Sequence, residues 1–121
     1  MTKAAAFQNL LNSVMPSYAV ASVPDNAVLP YQTYEYREGS FYDGPVSITV
    51  NQYSHGGEAE ANHHVKVLSE AIGMSGRLLN CEDGAIWIKR GSPFAQSVVN
   101  AEDQSIKRRY INLTVEFITP N

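Results

Sequence analysis

The fold is decided by residues 106–117, which read IKRRYINLTVEF and form the most regular alternation in the chain. Apolar side chains recur at every second position, at Ile111, Leu113, Val115 and Phe117, and polar side chains lie between them. Because successive side chains of a strand point to opposite faces, this pattern predicts a long strand with one buried and one wetter face. The rest of the chain must then supply neighbouring strands and a layer that covers the apolar face.

Other alternating segments predict the neighbours of this strand. Residues 31–37 and 46–53 alternate as strands, and the loop 38–45 between them contains two glycines and a proline. Residues Arg77–Cys81 and 85–89 predict a tight hairpin around Glu82-Asp83-Gly84. Together these segments predict a mostly antiparallel sheet of about five strands.

Two segments have the apolar spacing of amphipathic helices. In the first, apolar residues occupy positions 7, 10, 11, 14 and 15, with Thr2 as the N-cap and Pro16 as the end. In the second, residues 58–72, they occupy positions 61, 65, 68 and 72, with acidic residues in the first turn and Gly73 after the last. We therefore predict an α+β fold in which two helices cover one face of the sheet, and a single domain over residues 1–121.

Two segments lack such periodicity. Residues 17–30 are rich in proline and polar residues and predict a connector after the first helix. Residues 91–104 have small and polar residues around Pro93 and Phe94 and no clear periodicity, so they predict a long loop that is mobile in the free subunit and becomes ordered on assembly.

Composition narrows the class of protein. The chain has 121 residues, 9 basic and 12 acidic side chains and a net charge of −3, which argues against a protein that mainly coats nucleic acid. The single cysteine, Cys81, permits no internal disulfide, as expected in a reducing compartment. Polar residues interrupt the N-terminal segment, so we expect neither an export signal nor a membrane span.

Charge is unevenly distributed along the chain. The first 60 residues carry 2 basic and 6 acidic side chains, a balance of −4, so the remainder carries +1. Such polarity suits a subunit that joins partners head to tail, although scattered solvated charges explain it equally well.

No catalytic pattern emerges from the chemistry-bearing residues. His63 and His64 are adjacent on a predicted helix, so their side chains diverge, and recruiting His55 leaves the geometry unspecified. Cys81 lies on a predicted strand, where a small buried hydrophobe is the simpler interpretation, and Ser92 lacks a nucleophile-elbow motif. We predict no catalytic residue, no metal and no cofactor, and expect a protein that is not an enzyme.

Three segments carry a resemblance to a known family. They are residues 29–34, LPYQTY, residues 85–93, AIWIKRGSP, and residues 106–117. In these segments the chain resembles the tail terminator, or tail completion, proteins of long-tailed bacteriophages, some of which are described as minor capsid proteins. The resemblance extends over nearly the whole chain.

The resemblance implies a structural subunit of the virion. Such subunits form a ring, usually of six, that caps the tail tube and meets the head connector, so the expected partners are further copies, the tail tube protein and a connector or completion protein. DNA would pass through the ring without sequence-specific binding, and the expected location is the head–tail junction. Two alternatives remain open: a head-completion or connector adaptor protein, and a small-ligand-binding α+β domain that uses the three histidines.

Candidate interface residues are aromatic side chains in loops and charged side chains near the last strand. A run of three cations opens that strand, and its first and third members should emerge at the rim of the sheet. Either the run is a solvated strand entrance that discourages edge pairing, or Arg108 pairs across a subunit boundary with Glu116 or with a carboxylate of the acidic first half. The predicted interface residues are Phe41, Tyr42, Arg90, Phe94, Lys107, Arg108, Arg109 and Glu116.

Overall fold

The computed structural model describes residues 1–100 and 102–120 of the chain. Two α-helices, six strands and a 3₁₀ helix follow one another in this part of the chain. They are α1 (Lys3–Asn12), β1 (Ser17–Ala19), β2 (Tyr31–Glu35), the 3₁₀ helix (Phe41–Asp43), β3 (Val46–Ser54), α2 (Gly57–Ile72), β4 (Arg77–Cys81), β5 (Gly84–Val98) and β6 (Lys107–Ile118).

The strands form one sheet in the order β1-β2-β3-β6-β5-β4. Every neighbouring pair is antiparallel except β1 and β2, which are parallel. The α+β class with two helices is confirmed, but the described sheet has six strands and is mixed. The additional strand is β1, which lies in the predicted connector 17–30; it has only three residues, too few to show a period in sequence.

The hydrophobic core lies on one face of the sheet. All four apolar positions of the deciding stretch, from Ile111 to Phe117, are buried there. The same cluster includes side chains from β3, β5 and both helices, among them Phe7, Leu11, Ile48, Val50, Leu68, Ile72, Ile86 and Ile88. Both helices therefore cover the same face, and each large apolar side chain buried between helix and sheet contributes about 1.5–3 kcal/mol.

Helix α1 begins as predicted and ends earlier than predicted. The Thr2 hydroxyl accepts a hydrogen bond from the Ala5 amide at 3.1 Å, which satisfies one of the free amides of the first turn. The helix ends at Asn12, whose side-chain oxygen accepts from the Ser17 amide at 3.0 Å. Helix α1 contacts both β1 and β4, the two edges of the sheet, so the sheet curls around it.

A chain of buried amides joins α1 and β1 to the sheet. Gln32 Nε2 donates to the Leu11 carbonyl at 3.1 Å and to Ser17 Oγ at 2.9 Å, while Gln52 Nε2 donates to Gln32 Oε1 at 3.1 Å. Both glutamines are almost fully buried on the helix-covered face. These bonds satisfy polar groups that would be costly to bury unpaired, and they fix where the end of α1 meets β2.

The prediction of a loop over residues 91–104 is wrong for residues 91–98. Strand β5 continues to Val98, and its pairing with β6 shifts register between Arg90 and Ala95. This bulge accommodates Pro93, whose carbonyl accepts from Asn112 Nδ2 at 3.0 Å. A Cβ at Gly91 would lie 2.8 Å from the Asn112 carbonyl oxygen, so the close approach of the two strands requires glycine there. Gly91 and Pro93, which lie in the predicted loop, are therefore part of the bulge in β5.

Candidate functional site

The face of the sheet opposite the helices, here called the open face, carries the candidate interaction surfaces. As predicted, Arg108, Tyr110, Asn112, Thr114 and Glu116 of β6 are the partly exposed members of the alternation. The middle of the open face is polar, where Ser47 and Thr49 of β3 line a shallow depression together with Tyr110 and Asn112. Its two ends are different in character.

One end presents two exposed aromatic side chains, here called the knob. Phe41 and Tyr42 of the 3₁₀ helix are 62% and 85% exposed, and their rings meet edge to face at 5.7 Å. The segment is held in place because the Ser40 amide donates to Asp43 Oδ2 at 2.7 Å and the Phe41 amide donates to the Thr119 carbonyl at 2.7 Å. The predicted exposure of Phe41 and Tyr42 is confirmed, and the knob has a defined conformation.

Trp87 lies on the open face beside the knob. Its Nε1 donates to the Ser75 carbonyl at 3.1 Å, and the Lys89 ammonium lies 4.5 Å from the ring centroid. The same ammonium pairs with Glu116 at 3.6 Å. Phe41, Trp87 and Glu116 line one shallow cavity with Ile118. Within this chain Glu116 therefore pairs with Lys89 and not with Arg108.

A row of tyrosines crosses the other end of the open face. Tyr31 lies 5.8 Å from Tyr18 and 5.4 Å from Tyr53, measured between ring centroids, and the Arg108 guanidinium lies 6.0 Å from the Tyr53 ring. Burial, followed by the neighbouring Tyr53 and Tyr18, raises the pKa of Tyr31. Such rings stabilise one another by edge and offset contacts, and Arg108 adds a cation over the last ring. The row therefore forms a preformed aromatic surface.

Beside this row lies a cleft of about 640 Å³, here called the cleft. It is lined by Ala27, Leu29, Tyr31, Tyr53, Val99, Asn100, Glu102, Ile106 and Arg108. Sequence reasoning did not find it, because its walls come from the connector before β2, from β3 and from the connection between β5 and β6. The alternation of Tyr31 and Tyr53 was visible, but only strand register places these two rings side by side.

The run of three cations divides between the two faces. Arg108 lies on the open face, where its Nε donates to Asn51 Oδ1 at 2.9 Å. Arg109 is only 5% exposed and pairs with Glu58 at the start of α2, with a second bond to Asn62 Oδ1 at 3.2 Å. Lys107 also approaches Glu58, at 3.8 Å. The expectation that Lys107 and Arg109 emerge at the rim is wrong for Arg109, because the first turn of α2 covers that position and supplies its carboxylate.

Two other predicted interface residues, Phe94 and Arg90, make contacts within the chain. Phe94 is half-buried and packs against the core, so its assignment as an exposed loop aromatic is wrong; the continuation of β5 turns it inward. Arg90 is exposed, and its Nη1 donates to Ser69 Oγ of α2 at 2.9 Å. Arg90 thus joins the edge of β5 to α2 within the chain.

The histidines and the cysteine form no recognisable site. His63 is exposed, whereas His64 is half-buried and lies 3.2 Å from Glu60. In residues 1–100 and 102–120, no group of three or more His, Cys, Asp or Glu side chains is placed to hold a metal ion. Cys81 is a half-buried residue of β4 and is a free thiol.

No protein-family model matches the chain, and no curated protein matches it. Within the described residues, neither helix is long and apolar enough to cross a membrane.

Proposed function

We propose that the protein is a structural subunit of a long-tailed bacteriophage, a tail terminator that assembles into a ring on the tail tube and joins it to the head connector. The observation that carries the proposal is the exposed knob of Phe41 and Tyr42, which is held by hydrogen bonds of its backbone. Exposed aromatic side chains held by backbone hydrogen bonds are typical of interfaces and add little to the stability of a lone subunit.

The segments that resemble the tail terminator family support the phage assignment. Residues 31–34 lie in β2, residues 85–93 lie in β5, and residues 107–117 lie in β6. These strands belong to the one sheet that carries both the knob end and the tyrosine row. The resemblance thus covers the scaffold on which the candidate interfaces are built.

Assembly into a ring is the first experimental test. Sedimentation velocity and native mass spectrometry, from micromolar to millimolar protein, should show a closed oligomer of one stoichiometry, for which we expect six subunits. Negative-stain images should show rings of that size. A monomer at every concentration would contradict the proposal.

The place of the subunit in the particle separates a tail terminator from a head-completion protein. Unjoined heads and unjoined tails of a phage that encodes this chain can be separated on a density gradient. An antibody against the chain should mark one end of the free tails. Labelling of free heads alone would favour the connector adaptor instead.

A further inference from the structure

The cleft has an aromatic wall made of two tyrosine side chains. Tyr31 of β2 and Tyr53 of β3 are direct cross-strand neighbours, with ring centroids 5.4 Å apart and ring planes at 36°. Tyr18 contacts Tyr31 edge to face from β1, and the Arg108 guanidinium lies 6.0 Å from the Tyr53 ring. These contacts hold both rings in place before any ligand arrives, so stacking on them costs little conformational entropy.

The hydroxyl groups of the tyrosine row are not used by the fold. The hydroxyls of Tyr34 and Tyr36, in contrast, donate to side chains of the same chain at 2.8 and 3.1 Å. Within residues 1–100 and 102–120, the hydroxyls of Tyr18, Tyr31 and Tyr53 make no such bond. The raised pKa of Tyr31, caused by burial and then by Tyr53 and Tyr18, keeps its hydroxyl protonated, so this group can donate as well as accept.

Arg108 presents a guanidinium group to the cleft that the fold uses only in part. Its Nε donates to Asn51 Oδ1 at 2.9 Å, and this bond fixes the group beside Tyr53. Within the part of the chain that the structure describes, its two terminal nitrogens have neither a hydrogen-bond acceptor nor an ion-pair partner. A guanidinium is a rigid fork of donors, so it can bond to two neighbouring oxygen atoms of one ligand.

The charge of the cleft favours a neutral ligand. Among the described residues, its lining contains one basic and one acidic side chain, Arg108 and Glu102, and the chain as a whole carries −3. A phosphate or a nucleic acid strand would therefore find no excess of positive charge there. Asn100 adds an amide that both donates and accepts. These groups together suit a ligand that has many hydrogen-bonding groups and no net charge.

Size and composition narrow the class of ligand further. The volume of about 640 Å³ lies within the range of about 300–1,000 Å³ that encloses small ligands. A sugar ring has an apolar face of C–H groups, which stacks on an aromatic ring, and a rim of hydroxyl groups. An entirely apolar ligand would leave the tyrosine hydroxyls and the Arg108 guanidinium unpaired, which is unfavourable once water is excluded. The cleft therefore matches a sugar better than it matches an apolar molecule.

We propose that the cleft binds a short, neutral oligosaccharide, whose sugar rings stack on Tyr31 and Tyr53 and whose hydroxyl groups bond to Arg108 and Asn100. All of these residues belong to one copy of the chain, so the site is complete in a single subunit. A carbohydrate site goes beyond the proposed structural function, which assigns no small ligand to the subunit.

Saturation-transfer difference NMR tests the site, because it observes the sugar and works with a monomer or a ring. The probes are maltose, cellobiose, lactose and N,N′-diacetylchitobiose, mixed one at a time with the full chain. At least one of them should bind with millimolar affinity, and neither inorganic phosphate nor adenosine monophosphate should displace it. Failure of all four sugars to bind, or displacement by either anion, would overturn the proposal.

Variants of Tyr53 locate the binding in the cleft. Tyr53→Ala should weaken it by more than about tenfold, because it removes one ring of the aromatic wall. Tyr53→Phe keeps the ring and removes only the hydroxyl, so it should weaken binding by about two- to tenfold. Tyr110→Ala is the matched control and should bind like the wild type, since Tyr110 is a partly exposed tyrosine of the open face that does not line the cleft.

Thermal melts establish that each variant is folded. If Tyr53→Ala does not fold, Tyr53→Phe and Arg108→Gln decide, and the latter should also weaken binding, by about two- to tenfold. Undiminished binding by the folded variants of the cleft, or loss of binding in Tyr110→Ala, would place the sugar elsewhere and overturn the assignment. Sugar binding by a chain that is monomeric at every concentration would contradict the proposed ring and support this site.

Discussion

Arg108 and Arg109 are adjacent in sequence, but their side chains lie on opposite faces of the sheet and have different surroundings. Arg109 is buried beneath the first turn of α2, where Glu58 and Asn62 bind its guanidinium. Arg108 lies on the open face over Tyr53 and lines the cleft. On the helix-covered face, therefore, both the apolar side chains and the charged Arg109 contact other parts of the same chain and stabilise the fold. The open face keeps aromatic and charged side chains available to a partner.

The largest expected difference between the faces is in core packing. Leu113→Ala should lower the free energy of unfolding by about 2–5 kcal/mol, because Leu113 is buried on the helix-covered face of the sheet and its truncation leaves a cavity there. Thr114→Ala, one residue away on the open face, should change it by less than ~0.5 kcal/mol. Urea denaturation followed by circular dichroism measures both. Equal costs would show that the open face is also part of the core.

The two arginines provide a sharper comparison. Arg109→Ala should cost about 1–3 kcal/mol, because it removes charge-assisted bonds and buried aliphatic contacts beneath α2. Arg108→Glu should leave the thermal midpoint of the monomer nearly unchanged and prevent ring assembly, because it places a carboxylate in the cleft that contains Glu102.

Calorimetry and native mass spectrometry read out the two effects for each arginine variant. A normal ring from Arg108→Glu, together with complementation of a phage that lacks the gene, would show that the Arg108 surface is merely solvated. It would also contradict the prediction that Arg108 pairs across a subunit boundary.

The smallest expected effect is the change in stability at alkaline pH that is due to Tyr36. This partly buried residue contacts Phe7 and Phe117. Burial, and then the Glu38 carboxylate that accepts its hydroxyl bond, raises the pKa of Tyr36 well above its ordinary value of 10.0. Because the pKa is higher in the folded chain than in the unfolded chain, this group stabilises the fold fully below pH 10.0. Its contribution is lost as pH rises from there towards the folded pKa.

Replacement of the hydroxyl isolates this effect. Tyr36→Phe should flatten the fall in unfolding free energy above pH 10.0, measured by urea denaturation at a series of alkaline pH values. Tyr42→Phe is the matched control, since Tyr42 is exposed in the knob. An unchanged slope in Tyr36→Phe would place the alkaline transition elsewhere in the chain.

Part of the candidate site could be read from sequence. Phe41 and Tyr42 stand in a glycine-containing loop between two alternating segments, and such aromatic residues have no core to enter. The cleft could not be read in this way, because Leu29, Tyr53 and Val99 come from three separate segments. Their proximity depends on the register of β2 with β3 and of β3 with β6.

The sequence by itself determined the periodic elements: the two helices, the alternation of β6, and the face on which each of its side chains lies. Local patterns carry this information, because a period of two or 3.6 residues identifies the buried face before any partner is present. Only the tertiary structure decided that β5 passes through Gly91 and Pro93, that Phe94 turns inward, and that Arg109 is buried against Glu58. Each of these depends on a partner distant in sequence, on Asn112, on the core or on α2, and a linear pattern does not contain the distance between such partners.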